Sequence, residues 1–108
     1  MEKRQEGFLS ETIGLRIHER KQVGKAKNRL PKHIVRKYDS LCADITRLNL
    51  WKQQELMLKG WQIAHLEGEL DCNYRIRLGR KWRIILHIEG MDAVILYLGS
   101  REGAYRCT

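Results

Sequence analysis

The chain has 108 residues, 43% of them hydrophobic, and its 21 lysines and arginines against 13 acids give a net charge of +8. This length fits one small domain, and this composition predicts a folded chain. The positive charge favours an anionic partner, such as nucleic acid, an acidic protein or a membrane surface. No apolar run approaches the roughly 20 residues of a membrane helix, and residues 1–14 lack the apolar core of a signal peptide.

Cysteine and histidine spacing argues against a metal site. The three cysteines, Cys42, Cys72 and Cys107, are far apart and form no CxxC pair. The four histidines lack ligand spacing as well. We therefore expect reduced thiols in a cytoplasmic protein, with Cys42 on an apolar helix face, and neither a metal nor a small-molecule cofactor.

The beginning of the chain predicts an arm and a first strand. Residues 1–14 are polar, and we interpret them as a flexible arm before a single domain over 15–108. Leu15 and Ile17 alternate with polar residues, as in a short strand.

A helix over 31–48 is the strongest predicted element. Its apolar residues recur at helical period, and Pro31 suits the first turn because no N–H is needed there. A weaker helical pattern precedes it, so residues 24–48 predict a helical hairpin. No acid interrupts the basic residues of 20–37, and this charge run alone is typical of a solvated helix surface.

The middle of the chain predicts a third helix and then a connector. Residues 50–59 have a short helical pattern that Gly60 ends. We favour core positions for both Trp51 and Trp61, and the alternative is that they are exposed aromatic residues that contact a partner. Residues 63–71 hold a glycine and three acids, and we interpret them as a connector.

A predicted β-hairpin over 73–88 carries the most informative residues. Side chains alternate faces along a strand, so Arg75, Arg77 and Arg83 lie opposite an apolar face. A loop at 79–81 sets Arg77 directly across from Arg83, because a shift of one residue would put arginine in the core. Opposed like charges destabilise a sheet by roughly a few tenths to 1 kcal/mol. Two interpretations are open. The face is an ordinary solvated surface on which water and salt screen the repulsion, or it binds a polyanion such as a phosphate chain.

The last residues predict a turn and one more strand. Residues 89–92 form the turn, and 93–98 are almost all apolar, as in a well-covered strand. We interpret 99–103 as a loop and 104–106 as a final short segment. The predicted order is thus a strand, a helical hairpin and an antiparallel meander.

Four short motifs follow one another along the chain. They are Leu-Glu-Gly at 66–68, Tyr-Arg-Ile-Arg-Leu-Gly at 74–79, Trp-Arg-Ile-Ile at 82–85 and Leu-Gly-Ser-Arg-Glu-Gly-Ala-Tyr-Arg at 98–106. In order and spacing they resemble the RelE/ParE superfamily of toxins from type II toxin–antitoxin systems, and Leu30-Pro31-Lys32 resembles its helix link. The resemblance covers about residues 15–106. It implies an α+β fold, a small antiparallel β-sheet packed against an N-terminal helical hairpin.

The resemblance implies one of two activities. RelE-like toxins enter the ribosomal A site and cut messenger RNA, whereas ParE-like toxins poison DNA gyrase and are not nucleases. Both are neutralised by an antitoxin. We favour a metal-independent, ribosome-dependent mRNA endonuclease that inhibits translation, with an acidic antitoxin, the ribosome and mRNA as partners and no membrane. The alternatives are a ParE-like gyrase inhibitor and a basic binding module that has lost catalysis.

The resemblance also implies roles for individual residues. Arg75 and Arg77 match positions that grip the RNA backbone, and Arg83 matches the residue that stabilises the charged phosphate. Arg101 matches an arginine that stabilises the transition state or protonates the leaving oxygen. Tyr105 matches the closing tyrosine, which orients a base.

RNA supplies its own nucleophile, so such an enzyme must mainly position the 2′-hydroxyl and stabilise charge, tasks that suit arginine. Candidates for the general base are His87 and Lys81, and a structural or solvated histidine is the alternative for the first. Arg80 and Arg106 are further predicted RNA-binding residues. Ser100 stands where many relatives have histidine, which argues against an acid–base role there.

Overall fold

Five strands form one sheet in the residues that this computed structural model describes, 14–66 and 73–107. The strands are β1 (Arg16–Glu19), β2 (Gln62–Leu66), β3 (Asn73–Arg77), β4 (Trp82–Glu89) and β5 (Asp92–Ser100). Their order across the sheet is β1-β5-β4-β3-β2. The sheet is mixed, because β1 runs parallel to β5 while the other neighbours are antiparallel. The predicted arm lies outside the described residues, apart from Gly14.

Four helices accompany the sheet within those ranges: α1 (Lys21–Lys27), α2 (Lys32–Thr46), α3 (Gln53–Leu58) and α4 (Arg101–Cys107). Pro31 precedes the first turn of α2 with a φ of −57°, so its fixed ring starts the helix where the sequence predicts. Gly60 follows the end of α3 with a φ of 105°, a conformation that glycine adopts without strain. The helical hairpin is confirmed, with α1 beginning before the predicted start at residue 24. None of these helices is long and apolar enough to cross a membrane.

The hydrophobic core lies between the helical hairpin and one face of the sheet. The helices contribute the buried side chains Val23, Ile34, Tyr38, Leu41 and Ile45, and the strands contribute Ile76, Ile84, Leu86, Ile95 and Leu98. Burial of an aliphatic side chain of this size stabilises a fold by roughly 1.5–3 kcal/mol. Because the core takes the apolar face of β3 and β4, their arginines are left on the opposite face.

The β3–β4 pairing has the register that the sequence predicts. Ile76 pairs with Ile84, and Arg77 pairs with Arg83. The loop at 79–81 joins the two strands, as expected. The predicted turn at 89–92 is also present, between β4 and β5.

The connector predicted over 63–71 is wrong in its first part. Gln62–Leu66 is an edge strand paired antiparallel with β3. Its pattern is weak because only Ile63 is buried among its five residues. Residues 67–72 lie outside the described part of the chain.

The loop predicted over 99–103 is also wrong. β5 continues to Ser100, and α4 begins at the next residue. The Gly103 N–H donates to Ser100 Oγ at 3.1 Å, the hydrogen bond of a helix N-cap. The two glycines that suggested a loop therefore lie in a strand and in a helix.

The two tryptophans and Cys42 pack against the core but are not fully buried, so their predicted core positions are confirmed in part. Trp51 and Trp61 are partly buried against the core, and Trp61 Nε1 donates to Asp44 Oδ2 at 2.8 Å. Cys42 is half-buried on α2, and this burial raises the pKa of its thiol. Cys72 and the Cys107 side chain lie outside the described residues.

Candidate nucleic-acid interface

Strand pairing lines up the outward-facing side chains in rows across the sheet. In one row Gln62 pairs with Arg77, which pairs with Arg83, which pairs with Gly99. The next row consists of Ala64, Arg75, Ile85 and Tyr97. Three arginines from two strands are therefore neighbours, bordered on both sides by small or neutral residues. With the nearby side chain from α4, we call these residues the arginine face: Arg75, Arg77, Arg83 and Arg101.

The carbonyl oxygen of Gly79 orders two of these guanidinium groups. Arg83 Nη1 donates to it at 2.8 Å, and Arg77 Nε donates to it at 3.2 Å. Arg83 Nη1 also lies 2.9 Å from the Trp82 carbonyl oxygen, and Arg77 Nη1 donates to Gln62 Oε1 at 3.2 Å. The acceptors of these hydrogen bonds are neutral, so they hold the guanidinium groups of Arg77 and Arg83 side by side without neutralising their charge.

The electrostatics of Arg83 reflect its neighbours. Partial burial lowers the pKa of Arg83, and the charges of Arg77 and Arg101 lower it further. The guanidinium still stays protonated at neutral pH. Within residues 14–66 and 73–107, no carboxylate forms an ion pair with any member of the arginine face. The face therefore carries uncompensated positive charge, which a bound anion would stabilise.

Helix α4 brings the C-terminal residues to the same face. The Arg101 N–H donates to the Lys81 carbonyl oxygen at 2.7 Å, which ties the start of α4 to the β3–β4 loop. The Arg75 guanidinium lies over the Tyr105 ring, 5.0 Å from its centroid, in a cation–π contact. Tyr105 is 57% exposed beside the arginine face.

Tyr97 explains why α4 contains a glycine. A Cβ added at Gly103 would overlap the Tyr97 hydroxyl, and one at Gly99 would crowd the same group. The Tyr97 hydroxyl donates to the Ser100 carbonyl oxygen at 3.2 Å. Because both glycines leave room for this ring, α4 packs closely on β4 and β5. The position of α4 in turn sets where its arginine and tyrosine stand.

A groove of about 230 Å³ opens on the arginine face. Its lining residues are Gln62, Ile63, Ala64, Arg75, Arg77 and Arg83. Three of them are arginines and none is acidic, and arginine forks bind phosphate oxygens in a bidentate way. The groove can therefore hold a phosphodiester group.

Neither of the two candidate bases lines this groove. His87 is four residues from Arg83 along β4, roughly 13 Å at the usual rise of a strand. Its ring nitrogens lie 2.7 Å from Asn73 Oδ1 and 3.4 Å from Glu89 Oε1, contacts that fit a structural strand histidine. Lys81 is exposed in the β3–β4 loop. In the described part of the chain, no three His, Cys, Asp or Glu side chains are grouped as a metal ion would require.

The other predicted RNA-binding residues flank the face. Arg80 is exposed in the same loop, and its carbonyl oxygen lies 3.4 Å from Arg83 Nη1. Arg106 is exposed on α4, directly after Tyr105. Sequence reasoning missed Gln62, because β2 was not predicted. The available signal was the buried Ile63 between two outward-facing residues.

Solved structures share this fold. A chain of the archaeal RelE–RelB complex from Pyrococcus horikoshii OT3 is 28% identical, with a TM-score of 0.64 over 82% of this chain and 96% of that chain. The YoeB–YefM complex from Staphylococcus aureus gives 19% identity and a TM-score of 0.60, over 81% and 97%. A metal-bound toxin from Helicobacter pylori gives 18% identity and a TM-score of 0.52, over 82% and 97%. No protein-family model matches the sequence, and no curated protein sequence matches it.

The architecture defines the class of protein. A mixed sheet with a helical hairpin on one face and a basic opposite face is an α+β fold of the RelE-like kind. The structural neighbours support a RelE-like type II toxin, the class that the sequence motifs resemble.

Proposed function

We propose that the chain is the toxin of a type II toxin–antitoxin system and that it cleaves messenger RNA on the ribosome, in the cytoplasm. The observation that supports this most is the gathering of four arginines on one sheet face with no carboxylate paired to them among the described residues. An RNA backbone offers the phosphates that such a face stabilises. The archaeal RelE chain has the same fold and 28% identity, which favours this activity over the alternatives.

Cleavage on this face consists of positioning and charge stabilisation. The 2′-hydroxyl of one ribose loses its proton and attacks the adjacent phosphorus. The bond to the 5′-oxygen of the next nucleotide breaks, that oxygen takes up a proton, and a 2′,3′-cyclic phosphate remains. Arg83 stabilises the charge that grows on the phosphate oxygens, while Arg75 and Arg77 hold the backbone. Arg101 stabilises the leaving oxygen, and Tyr105 orients a base. Loss of one such donor typically lowers the rate by about 10²–10³.

The proposed inhibitor is an acidic antitoxin. The net charge of +8 favours an anionic protein partner. RelE–RelB and YoeB–YefM are themselves toxin–antitoxin complexes. A partly disordered acidic peptide that covers a sheet or helix surface would neutralise this charge as it folds on the toxin.

Induction of the toxin in growing cells tests the proposal. We expect the wild type to stop growth and to cut transcripts inside translated codons, as read by primer extension. Arg83→Ala and Arg101→Ala should each lower cleavage by about 10²–10³ while the fold stays intact. Arg36→Ala is the matched control, because Arg36 is exposed on α2, away from the arginine face. His87→Ala and Lys81→Ala test the two predicted bases in the same assay.

The competing functions give different results. A DNA-damage response without transcript cleavage would identify a ParE-like gyrase inhibitor. No effect on growth would identify a binding module without catalysis. Full cleavage by both Arg83→Ala and Arg101→Ala would show that the site is elsewhere.

A further inference from the structure

A second pocket adjoins the arginine face at the β2 edge of the sheet. It encloses about 480 Å³, within the range of about 300–1,000 Å³ found for ligand sites. Its lining includes Lys37, Lys59, Trp61, Gln62, Arg77 and Arg80. We call it the edge pocket. It combines the end of α3, one side chain of α2 and the β3–β4 loop, which are far apart in sequence.

Four side chains of the edge pocket are cationic and none is acidic. Lys37 and Arg80 form no ion pair within the described ranges. Lys59 Nζ lies 3.9 Å from Asp44 Oδ1, at the outer limit of an ion pair, so its charge is only partly offset. Arg77 is hydrogen-bonded to neutral acceptors alone. The pocket therefore concentrates positive potential in a concave site.

Trp61 gives the edge pocket an aromatic wall. Its indole N–H donates to Asp44 Oδ2 at 2.8 Å, and its ring packs partly against the core. The orientation of the ring is therefore fixed before any ligand arrives. Cations beside a fixed aromatic ring are the arrangement that binds single-stranded nucleic acid, with phosphates on the cations and bases on the ring.

The edge pocket adjoins the groove on the arginine face. Gln62 and Arg77 line both, and Arg77 Nη1 donates to Gln62 Oε1 at 3.2 Å at their boundary. An RNA backbone that leaves the groove on this side would meet further cations in the edge pocket. The shared lining favours one ligand across both sites over two separate ligands.

We propose that the edge pocket binds the phosphate and base of a further nucleotide of the RNA strand whose backbone lies in the groove. Lys37, Lys59 and Arg80 hold the phosphate, and Trp61 stacks on the base. Gln62 is a positioning residue that holds Arg77 at the boundary. The inference rests on the proposed function for the identity of its ligand.

Binding of short RNA that cannot be cleaved tests the edge pocket. The probes are fluorescein-labelled 2′-O-methyl RNAs of two and six nucleotides, measured by anisotropy with the purified full-length chain at several salt concentrations. We expect Lys37→Gln with Lys59→Gln to weaken binding of the six-nucleotide probe by about two- to fivefold per lysine. Its logarithmic salt slope should fall by about 0.7 for each phosphate that the variant no longer neutralises. Binding of the two-nucleotide probe should stay unchanged.

A matched double variant controls for net charge. Lys21→Gln with Lys32→Gln removes the same charge from exposed positions of α1 and α2 that do not line the edge pocket. It should bind both probes like the wild type. If the two double variants behave alike toward the six-nucleotide probe, the edge pocket is not an RNA site.

Two further outcomes separate this inference from the proposed function. Loss of affinity of the Lys37 and Lys59 variant for an oligoglutamate peptide, with RNA binding unchanged, would overturn the inference and assign the pocket to an acidic protein. Transcript cleavage is measured independently in cells. If the wild type binds the longer probe through the edge pocket but cuts no transcript, the RNA site stands and the proposed activity fails.

Discussion

The Gly79 carbonyl oxygen shows how one main-chain atom can organise two repelling side chains. Arg77 and Arg83 face each other across β3 and β4, which costs roughly a few tenths to 1 kcal/mol. Both donate to the Gly79 oxygen; the partly buried hydrogen bond of Arg83 contributes about 1.5–3 kcal/mol, and the exposed one of Arg77 contributes less. The bonds therefore outweigh the repulsion. The charges stay available because the acceptor is neutral.

Arg83→Lys tests whether the fork of the guanidinium matters beyond its charge. Lysine keeps the positive charge but cannot bind a phosphate in a bidentate way while reaching the Gly79 carbonyl. We expect transcript cleavage to fall at least about tenfold, within the range for a lost donor, with an unchanged thermal midpoint. Arg36→Lys on α2 is the control and should cleave like the wild type. Equal cleavage by Arg83→Lys and the wild type would reduce the role of Arg83 to charge alone.

Glu19 makes the stability of the fold depend on pH. Burial alone would raise its pKa, but hydrogen bonds from Lys27 and Tyr38 lower the pKa of Glu19 below its usual value. The unfolded chain has a pKa of about 4.3 at this position, above that of the folded state. Glu19 therefore stabilises the fold above that pH, and this stabilisation is lost as the pH falls through the folded pKa.

Glu19→Gln should remove this dependence. We expect the free energy of unfolding, measured with urea, to be lower in the variant at pH 7 and equal to that of the wild type at the acidic end of the series. Asp39→Asn is the control, because Asp39 is exposed and has no ion pair in the described part of the chain. A constant difference between wild type and Glu19→Gln at every pH would contradict the assignment.

At the scale of elements, the placement of α4 depends on the fit between Gly103 and Tyr97. Gly103→Ala should push α4 away from the sheet, because its methyl group overlaps the Tyr97 hydroxyl. We expect a loss of about 1–3 kcal/mol in the free energy of unfolding, typical of overpacking, and reduced cleavage because Arg101 and Tyr105 move. Both are measured on the same variant, by urea unfolding and primer extension.

Tyr97→Phe in the same chain provides the control for this prediction. Removal of the hydroxyl takes away the closest overlap and leaves the Tyr97 Cζ atom 2.8 Å from the added Cβ, so the double variant should recover part of both losses. Tyr97→Phe alone should lose only about 0.5–1.5 kcal/mol, the value of its hydrogen bond to the Ser100 carbonyl oxygen. A double variant no better than Gly103→Ala would show that the Tyr97 hydroxyl is not the atom that displaces α4.

The sequence predicts the elements that have a long periodic pattern of apolar residues. It misses the elements that form because of tertiary contacts. α2 and the β3–β4 hairpin have many apolar residues at one period, so both follow from spacing alone. β2 has one buried residue in five, and it becomes a strand because β3 offers it a partner. Gly103 disfavours a helix locally, and α4 contains it because a larger side chain there would overlap the Tyr97 ring.

The candidate site also has a part that the sequence predicts and a part that depends on tertiary contacts. Alternation along two strands predicts that Arg75, Arg77 and Arg83 share a face, because that relation is local. The contribution of Gln62 and the edge pocket does not follow from the local pattern, since both require β2, the end of α3 and a side chain of α2 to meet. The position of His87 follows from alternation, but its hydrogen bond to Asn73 depends on cross-strand pairing.

At the scale of the whole molecule, the residues that stabilise the fold and the residues that carry the positive charge lie on opposite sides of the sheet. The core occupies the side of the sheet under the helical hairpin, and the arginine face occupies the other side. A ligand on the arginine face relieves repulsion in the native state and has no equivalent site on the unfolded chain. Such a ligand stabilises the fold by about 2.7 kcal/mol at a hundredfold excess over its Kd.

Oligoglutamate should therefore raise the thermal midpoint of the isolated chain. The increase should shrink at high salt, because exposed charges are screened over about 10 Å at 0.1 M. Arg75→Ala with Arg77→Ala should show a smaller increase, whereas Lys21→Gln with Lys32→Gln should resemble the wild type in differential scanning fluorimetry. Equal increases of the thermal midpoint in both double variants would show that stabilisation by the peptide depends on net charge and not on the arginine face.

The hydrogen bonds from the guanidinium groups to main-chain oxygens also affect the rate at which an anionic ligand binds. A surface whose cations are already bridged to internal acids must break those bridges before it can accept anything, and that step delays capture. Here the Gly79 oxygen that holds Arg77 and Arg83 is neutral, so an incoming anionic chain meets guanidinium groups that are already oriented and need break no ion pair. Anionic chains that bind these groups therefore compete with one another according to their concentrations and affinities.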